Sequence, residues 1–194
     1  YHCFATTEHG NIFDFVMKTQ NLRFGEAVKY LANLAGMQPY MFTKQDEERE
    51  KKWKEYCSIF SQYVEFYHDE LIKNETHNNA RNYLTERNIN KDQVKKFKIG
   101  YIEKNPNFFE KLRNDFSEEV LISTGLFYFD EKKKIYVERF KGRLVFPINN
   151  ISGQPIALGG RIIEKSDFLA KYINSPETPF FKKGSNLYNL DQAR

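Results

Sequence analysis

Cysteine and long apolar runs are what this sequence most clearly lacks. Cys3 and Cys57 are its two cysteines. Cysteines so far apart do not make a disulfide framework, so a reducing cytoplasm is the expected compartment. No run of about 18 apolar residues occurs, and the hydrophobic segment of a signal peptide is also missing. We therefore expect neither a disulfide-stapled secreted domain nor a membrane-spanning protein.

Charge is distributed unevenly along the chain. The net charge is only +4 over 194 residues. From Arg139 onward, nine lysines and arginines face four acids, a net charge of +5, which leaves the preceding residues near −1. A basic final third suits a polyanionic ligand. Charge alone favours a solvated basic surface. The motifs within this third must therefore distinguish such a surface from a binding site for a polyanion.

Helical patterns dominate the first two thirds. Asn11 is a possible N-cap, and apolar residues at helical spacing predict a helix over 24–34. A long helix is predicted over 45–73, and the apolar stripe in its second half is typical of core packing rather than of a cofactor site. Shorter helices follow, with Thr76 and Asn90 as candidate N-caps.

After Gly125 the pattern changes to β-strands. The predicted strands cover residues 126–129, 135–139, 143–148, 155–163 and 171–174. The segment DEKKK between the first two predicts a hairpin turn. Helices followed by strands predict an α+β fold, with a helical amino-terminal part and a small, mostly antiparallel β/α subdomain.

The first of three basic clusters in the last third is RFKGRLVFPI, residues 139–148. Alternation along an extended chain would place Arg139, Lys141 and Arg143 on one side. Three cations on one strand face repel one another unless an anion such as a phosphate backbone lies across them. A charged edge strand that prevents aggregation is an equally good interpretation of these residues.

The second cluster is the glycine pair before Arg161. Gly159 and Gly160 have no side chains, so another backbone or a ligand can approach the strand closely there. Arg161 would then project from a place with room around it. Taken alone, the motif favours a bulge with a surface arginine.

The third cluster, residues 171–188, mixes lysines, amide and hydroxyl groups and aromatic rings. Aromatic faces stack on bases, while lysine and arginine hold phosphates. The combination is denser than in a typical solvated loop. It favours binding of a single-stranded nucleic acid.

These residues resemble the bacterial replicative DNA primase family, the DnaG type. The matching strings are RFKGRLVFPI, GQPIALGGRII and KYINSPETPFFKKGSNLYNLDQAR. Upstream, ARNYLTERNIN and VKKFKIGY resemble the helical approach to the same domain, and YHCFATTEHGNIFDFVMK resembles the end of the family's zinc ribbon. The resemblance implies a remnant of the zinc ribbon (1–38), a linker (39–46) and the amino-terminal subdomain of the RNA polymerase core (47–194).

The resemblance implies a DNA-directed RNA polymerase, a nucleotidyltransferase that makes short RNA primers on single-stranded DNA during replication. In the family, a basic groove guides the template between this subdomain and a TOPRIM subdomain. The positions that belong to the groove by resemblance are Arg139, Lys141, Arg143, Arg161, Lys171, Tyr172 and Lys183, with Asn174 and Lys182 added by adjacency. We expect these residues to bind template or nucleotide phosphates.

The implied partners are the single-stranded DNA template, ribonucleoside triphosphates and the replicative helicase. The helicase would bind through a carboxy-terminal domain that this sequence does not contain. The implied location is the replication fork in the bacterial cytoplasm, as part of a primosome.

Metal sites are where the sequence departs from the family. Cys3 matches one zinc ligand of the ribbon, but Thr6 occupies the position of another, and a structural zinc needs four ligands. A remnant cysteine near two surface histidines is preferred over an altered site that uses His2 and His9. Magnesium or manganese would belong to TOPRIM carboxylates, which two-metal transfer needs and which are not found here. We therefore assign no catalytic residue and expect this chain alone to be inactive.

Two other functions remain open. A non-catalytic module that binds single-stranded nucleic acid would have no cluster of metal-binding acids encoded after Arg194. A structural or protein-interaction domain, with the helix over 45–73 as its contact surface, would show no salt-dependent binding to single-stranded DNA.

Overall fold

A computed structural model of the chain describes residues 1–38, 43–164 and 166–193. These residues form two compact units, 1–48 and 49–194. Residues 39–42 of the predicted linker lie outside the described residues. Within the described part of the chain, no helix is long and apolar enough to cross a membrane.

The first unit contains two short helices, α1 (Ile12–Gln20) and α2 (Phe24–Leu34). The side-chain oxygen of Asn11 accepts hydrogen bonds from the amides of Phe13 and Asp14 at 2.7 and 3.1 Å. The Asp14 carboxylate accepts one in return from the Asn11 amide at 2.8 Å. Asn11 is therefore the N-cap of α1, as predicted.

The long helix α3 covers Lys44–Lys73 and begins one residue before its predicted start. Four shorter helices follow among the described residues: α4 (Asn78–Glu86), α5 (Lys91–Lys96), α6 (Phe108–Leu112) and α7 (Glu118–Ser123). Short 3-10 turns cover Glu75–His77, Lys183–Ser185 and Leu190–Gln192. The apolar stripe of α3 is buried from Tyr56 to Leu71, so it packs in the core as predicted.

One of the two predicted caps in this region is correct. Asn90 caps α5 and exchanges hydrogen bonds with Gln93 at 2.9 Å in both directions. Thr76 does not cap α4, because its own amide and hydroxyl donate to the side chain of Asn74, which caps the preceding 3-10 turn. No side chain caps α4 itself.

The main sheet is antiparallel, with four strands in the order β1-β4-β5-β6. Its strands are β1 (Gly100–Ile102), β4 (Arg143–Asn149), β5 (Pro155–Ile162) and β6 (Tyr172–Asn174). A separate hairpin pairs β2 (Phe127–Asp130) with β3 (Ile135–Glu138) around the predicted DEKKK turn. The predicted α+β fold is confirmed, and β1 is the strand that the sequence pattern missed.

The main sheet is covered on both faces. Leu144 and Val145 are neighbours in β4, so their side chains point to opposite faces. Val145 belongs to the larger core with α3, α6 and α7, whereas Leu144 packs with Leu84 of α4 and Ile99. Helix α4 is thereby held against one face of the sheet, close to the ends of β5 and β6.

A buried carboxyl group links α3 to the β2–β3 hairpin. Glu138 accepts hydrogen bonds from the hydroxyls of Tyr63 and Tyr67 at 2.8 and 2.6 Å, and from the amide of Phe108 at 2.8 Å. Burial raises the pKa of Glu138, and the hydrogen bonds from the two tyrosines oppose that rise. These contacts fix the hairpin that leads into Arg139.

Candidate nucleic-acid interface

Strand β6 forms one edge of the main sheet and carries part of the third basic cluster. Its partner β5 places Arg161 opposite Tyr172 and Gly159 opposite Asn174. Directly paired residues share a face of the sheet, so Arg161, Tyr172 and Asn174 lie on the same side. Tyr172 is 58% exposed, and Asn174 and Lys171 are exposed as well.

Two aromatic rings fix the guanidinium group of Arg161. Its central carbon lies 5.1 Å from the centre of the Tyr83 ring and 4.9 Å from that of Tyr172. One terminal nitrogen also donates to the hydroxyl of Tyr172. Cation–π contacts with two rings restrict the orientation of the group and so hold its donors in place.

Two buried polar atoms beside this arrangement lack a partner. The Nε of Arg161 and the hydroxyl of Tyr83 make no hydrogen bond within the described part of the chain. Unpaired buried polar atoms are uncommon because they lose the hydrogen bonds that water would supply. Both belong to residues that line the pocket described next, but the atoms themselves are buried from solvent.

Two pocket residues that the sequence analysis did not select come from α4 and its carboxyl end: Tyr83 lies in the helix, and Arg87 directly follows it. Arg87 lies 5.5 Å from the centre of the Tyr83 ring and is exposed. A pocket of about 370 Å³ is lined by Tyr83, Arg87, Arg161, Ile162, Ile163, Glu164, Ser166, Asp167, Leu169 and Lys171. The spacing of Tyr83 and Arg87 places them on one helix face, and this was the signal in the sequence.

Arg143 lies on the other face of the sheet and is buried. It pairs with Ile162 in β5, one residue out of phase with Arg161. Its side chain is 5% exposed, and it donates to the backbone carbonyl of Lys171 at 3.4 Å. Burial lowers the pKa of this guanidinium group. Arg143 therefore supports the backbone before β6 rather than presenting a charge to solvent.

The glycine pair allows the close approach that its sequence predicts. A side chain at Gly160 would place its Cβ 2.5 Å from the Phe140 ring and 3.3 Å from Cδ of Arg143. The space above Gly160 is thus filled by side chains of the same chain, Phe140 and Arg143, and not by a ligand. Arg161 is half-buried and projects to the opposite face. The favoured interpretation, a bulge with a surface arginine, is wrong, because β5 pairs with β4 without a register shift at the glycines.

The prediction that Arg139, Lys141 and Arg143 share one strand face is wrong. Strand β3 ends at Glu138, and β4 begins at Arg143. The turn between them interrupts the alternation that the prediction assumed. The alternative, a charged edge strand, is also wrong, because β4 lies between β1 and β5.

Arg139 and Lys141 have different surroundings within that turn. The Nε of Arg139 donates to the carbonyl of Gly125 at 2.7 Å, and its guanidinium lies 5.5 Å from the centre of the Tyr128 ring. Lys141 is exposed in the turn. Arg139 is therefore held in place by the fold, whereas Lys141 presents its charge to solvent.

The loop after β6 is anchored while its lysines are exposed. Ser175 is buried and makes two hydrogen bonds with the backbone of Leu158, at 2.8 and 2.9 Å. The next residue, Pro176, packs closely over Gly125, to which Arg139 is bonded. Further along, the amide of Lys183 donates to the carboxylate of Glu177 at 3.2 Å. The side chains of Lys182 and Lys183 remain exposed.

The structure brings together part of the predicted set. Arg161 and Lys171 line the pocket with Arg87, Tyr172 contacts Arg161, and Asn174 lies on the same face of the sheet as Arg161. Arg143 lies beneath them on the opposite face. The remaining predicted residues lie along the turn and loop described above: Arg139, Lys141, Lys182 and Lys183. Their contact with a nucleic acid stays a prediction.

The amino-terminal residues do not fit a zinc site. Hydrogen bonds, first from the Thr6 side chain and then from the Thr6 and Ala5 backbone, lower the pKa of Cys3. The rings of His2 and His9 are stacked with their centres 6.1 Å apart. Across residues 1–38, 43–164 and 166–193, no group of three or more histidine, cysteine, aspartate or glutamate side chains could hold a metal ion.

Two protein-family models match the chain. Residues 1–48 match the CHC2 zinc finger, and residues 66–194 match the DNA primase catalytic core, N-terminal domain. Curated relatives include the DNA primases of Clostridium acetobutylicum and Lactococcus lactis, each 36% identical over the whole of this chain. The chain covers 32% and 30% of those proteins, about a third of their length.

Solved structures agree with this match. The RNA polymerase domain of Mycobacterium tuberculosis primase DnaG is 29% identical, with a TM-score of 0.65 over 71% of this chain and 45% of that chain. A DnaG primase catalytic domain bound to single-stranded DNA gives 28% and 0.66 over 74% and 44%. The zinc-binding and RNA polymerase domains of Aquifex aeolicus primase give 28% and 0.63 over 98% and 44%.

Proposed function

Because the chain belongs to the DnaG-type family of bacterial DNA primases, we propose that it binds the single-stranded template and nucleotide phosphates during primer synthesis. The observation that carries the proposal is the pocket at which Arg87, Arg161 and Lys171 meet. Two of these cations are exposed, and the third is oriented by aromatic rings. A related catalytic domain that binds single-stranded DNA supports the same function.

The three cations suit different parts of phosphate binding. The planar guanidinium of Arg161 is held by contacts with two rings, so its donors can meet phosphate oxygens with little loss of conformational freedom. Arg87 and Lys171 are exposed and would add charge around the same anion. The remaining predicted cations lie in the turn after β3 and in the loop after β6. There they would contact the single-stranded DNA beyond the pocket.

The polymerisation reaction belongs in this proposal to the intact enzyme. A ribose 3′-oxygen would form a bond to the α-phosphorus of a ribonucleoside triphosphate, and pyrophosphate would leave. The metal ions, magnesium or manganese, need clustered carboxylates, which we assign to a TOPRIM subdomain outside these 194 residues. This chain supplies positioning and electrostatic stabilisation, so we expect it to be inactive by itself.

The domain organisation and partners complete the proposal. Residues 1–38 would be part of a zinc ribbon, 39–46 a linker and 47–194 the amino-terminal subdomain of the polymerase core. A carboxy-terminal domain of the intact protein would bind the replicative helicase and so place the enzyme at the fork in the cytoplasm.

The proposal is tested by removing the two exposed cations of the pocket. We expect the double variant Arg87→Ala/Lys171→Ala to bind single-stranded DNA more weakly and with a shallower dependence on salt. Each lost phosphate contact lowers the slope of log affinity against log salt by about 0.7 for single strands, so the double variant should lose about 1.4. Fluorescence anisotropy titrations at several salt concentrations measure both quantities.

A charge-matched control uses the exposed lysines of α5. Lys91→Ala/Lys95→Ala removes two positive charges from residues that line a different pocket. Its affinity and salt slope should stay close to those of the unsubstituted chain. Equal slopes for the two double variants would rule out the pocket as the phosphate site.

A further inference from the structure

The loop between β5 and β6 exposes large apolar side chains beside the cationic pocket. Phe168 is 97% exposed, and the following Leu169 is 57% exposed. Single exposed apolar residues are ordinary. An almost fully exposed phenylalanine next to an exposed leucine, on a loop that leads directly into Lys171, suggests a contact that the chain does not make with itself.

Local hydrogen bonds organise this loop. The hydroxyl oxygen of Ser166 accepts hydrogen bonds from the amides of Phe168 and Leu169 at 3.3 and 3.2 Å. At the base, the Ile162 amide donates to the carbonyl of Lys171 at 3.1 Å. The tip is therefore a short turn on a closed hairpin. The Phe168 ring on this turn is exposed to solvent, and the adjacent Leu169 lines the pocket.

The charges around the loop favour a polyanionic partner. Arg87, Arg161 and Lys171 line the pocket together with Glu164 and Asp167. Glu164 is paired with Lys104 at 2.7 Å, so its charge is largely offset. The net charge of the residues that line the pocket is therefore positive. Cations that hold a backbone next to an aromatic ring that offers both faces make the usual combination of single-strand binding sites.

We propose that Phe168 is a stacking site for a base of the single strand whose phosphates lie at the Arg87–Arg161–Lys171 pocket. The proposal rests on the proposed function and adds to it a contact with the bases. Stacking on an aromatic face tolerates any base, so Phe168 would add affinity without reading sequence. Leu169 extends the apolar surface beneath the stacked base.

The test separates base contacts from phosphate contacts. One probe is a labelled oligodeoxythymidylate of about 16 nucleotides, and the other is an abasic oligomer of equal length that keeps the phosphates. Phe168→Ser should weaken binding to the first probe by about tenfold. It should leave binding to the abasic oligomer unchanged. The salt slope should not change with either probe, because no charge is removed.

Two further variants complete the experiment. Phe168→Tyr keeps the aromatic face and should retain the affinity for oligodeoxythymidylate. Phe4→Ser removes a phenylalanine that is 92% exposed in the first unit and should have no effect. Both serine substitutions replace exposed side chains, so folding should be preserved.

The outcomes that contradict the stacking site are distinct from those that contradict the proposed function. Unchanged binding of Phe168→Ser to oligodeoxythymidylate, as expected if the loop binds another protein, would overturn the stacking site alone when Arg87→Ala/Lys171→Ala still shows a shallower salt slope. Equal weakening for both oligomers, or an equal loss in Phe4→Ser, would also overturn it. Failure of the unsubstituted chain to bind either oligomer would overturn both proposals.

Discussion

At the scale of single residues, Glu138 shows how burial makes a carboxyl group sensitive to pH. Its side chain is 3% exposed and has three hydrogen-bond donors around it. The folded protein nevertheless disfavours the ionised form, because the loss of hydration is the largest influence on the pKa of this group. The donors lessen this penalty without removing it.

The sign of the resulting pH dependence follows from the raised pKa. A carboxyl group whose pKa is higher in the folded state stabilises the fold fully below its unfolded value, here 4.5. That contribution is lost as pH rises through the folded pKa. We therefore predict that the free energy of unfolding of Glu138→Gln, taken relative to that of the unsubstituted chain, rises with pH.

Urea unfolding at several pH values between about pH 5 and about pH 8 measures this difference. The variant should gain stability relative to the unsubstituted chain as pH rises, whatever the constant effect of the substitution. Parallel curves over this range would show that Glu138 does not titrate differently in the folded protein.

At the scale of elements, the Phe140 ring packs against β5 and fixes the position of the strand that carries Arg161. The ring occupies the space that a side chain at Gly160 would need, with 2.5 Å between Cδ1 and the added Cβ. We predict that Gly160→Ala destabilises the protein by about 1–3 kcal/mol, since neither the strand nor the buried ring can move freely. Denaturant unfolding measures the change.

Gly184→Ala is the matched control for this substitution. No atom lies within 4 Å of the Cβ that it would add. The control should change stability by less than about 0.5 kcal/mol, as is usual for surface substitutions. Equal stabilities of the two variants would contradict the packing described around Gly160.

The elements themselves were largely predictable from sequence. Apolar residues at helical spacing predicted α2 and the buried stripe of α3, and the DEKKK turn between two apolar runs predicted the β2–β3 hairpin. Strand β1 was missed because it has three residues, all of them buried, and a continuous short run has no alternation to detect. Thr76 was predicted as a cap because the sequence does not show that its amide and hydroxyl would donate to Asn74.

The candidate site was predictable only where its residues are close in sequence. Arg161, Lys171 and Tyr172 lie within twelve residues of the basic final third, so charge and resemblance could select them. Tyr83 and Arg87 lie far upstream, and only the packing of α4 on the sheet brings them to the pocket. A turn that sequence patterns did not resolve separates Arg139 from Arg143.

At the scale of the whole molecule, family membership and the residues present disagree on zinc. The chain matches the CHC2 zinc finger over residues 1–48. Thr6 nevertheless offers a hydroxyl where the family has a thiolate. Zinc prefers thiolate, imidazole and carboxylate ligands.

We therefore predict that this 194-residue chain holds no stoichiometric zinc. Elemental analysis of the protein, purified without chelators, measures the content directly. One zinc per chain would show that His2, His9 and Cys3 form a site in solution, and would contradict the geometry described for them. Added chelator should also leave the thermal unfolding midpoint unchanged.

The hydrogen bonds at both ends of β6 determine which of its side chains face the binding surface. A slip of one residue along β5 would exchange the faces of the strand, turning Tyr172 and Asn174 inward and Ile173 outward. The Ile162–Lys171 hydrogen bond blocks such a slip at one end, and the paired bonds of Ser175 with Leu158 block it at the other. A strand of three residues is too short to fix its own register. The hydrogen bonds that flank β6 fix it instead, so the buried part of the fold sets which side chains the surface presents.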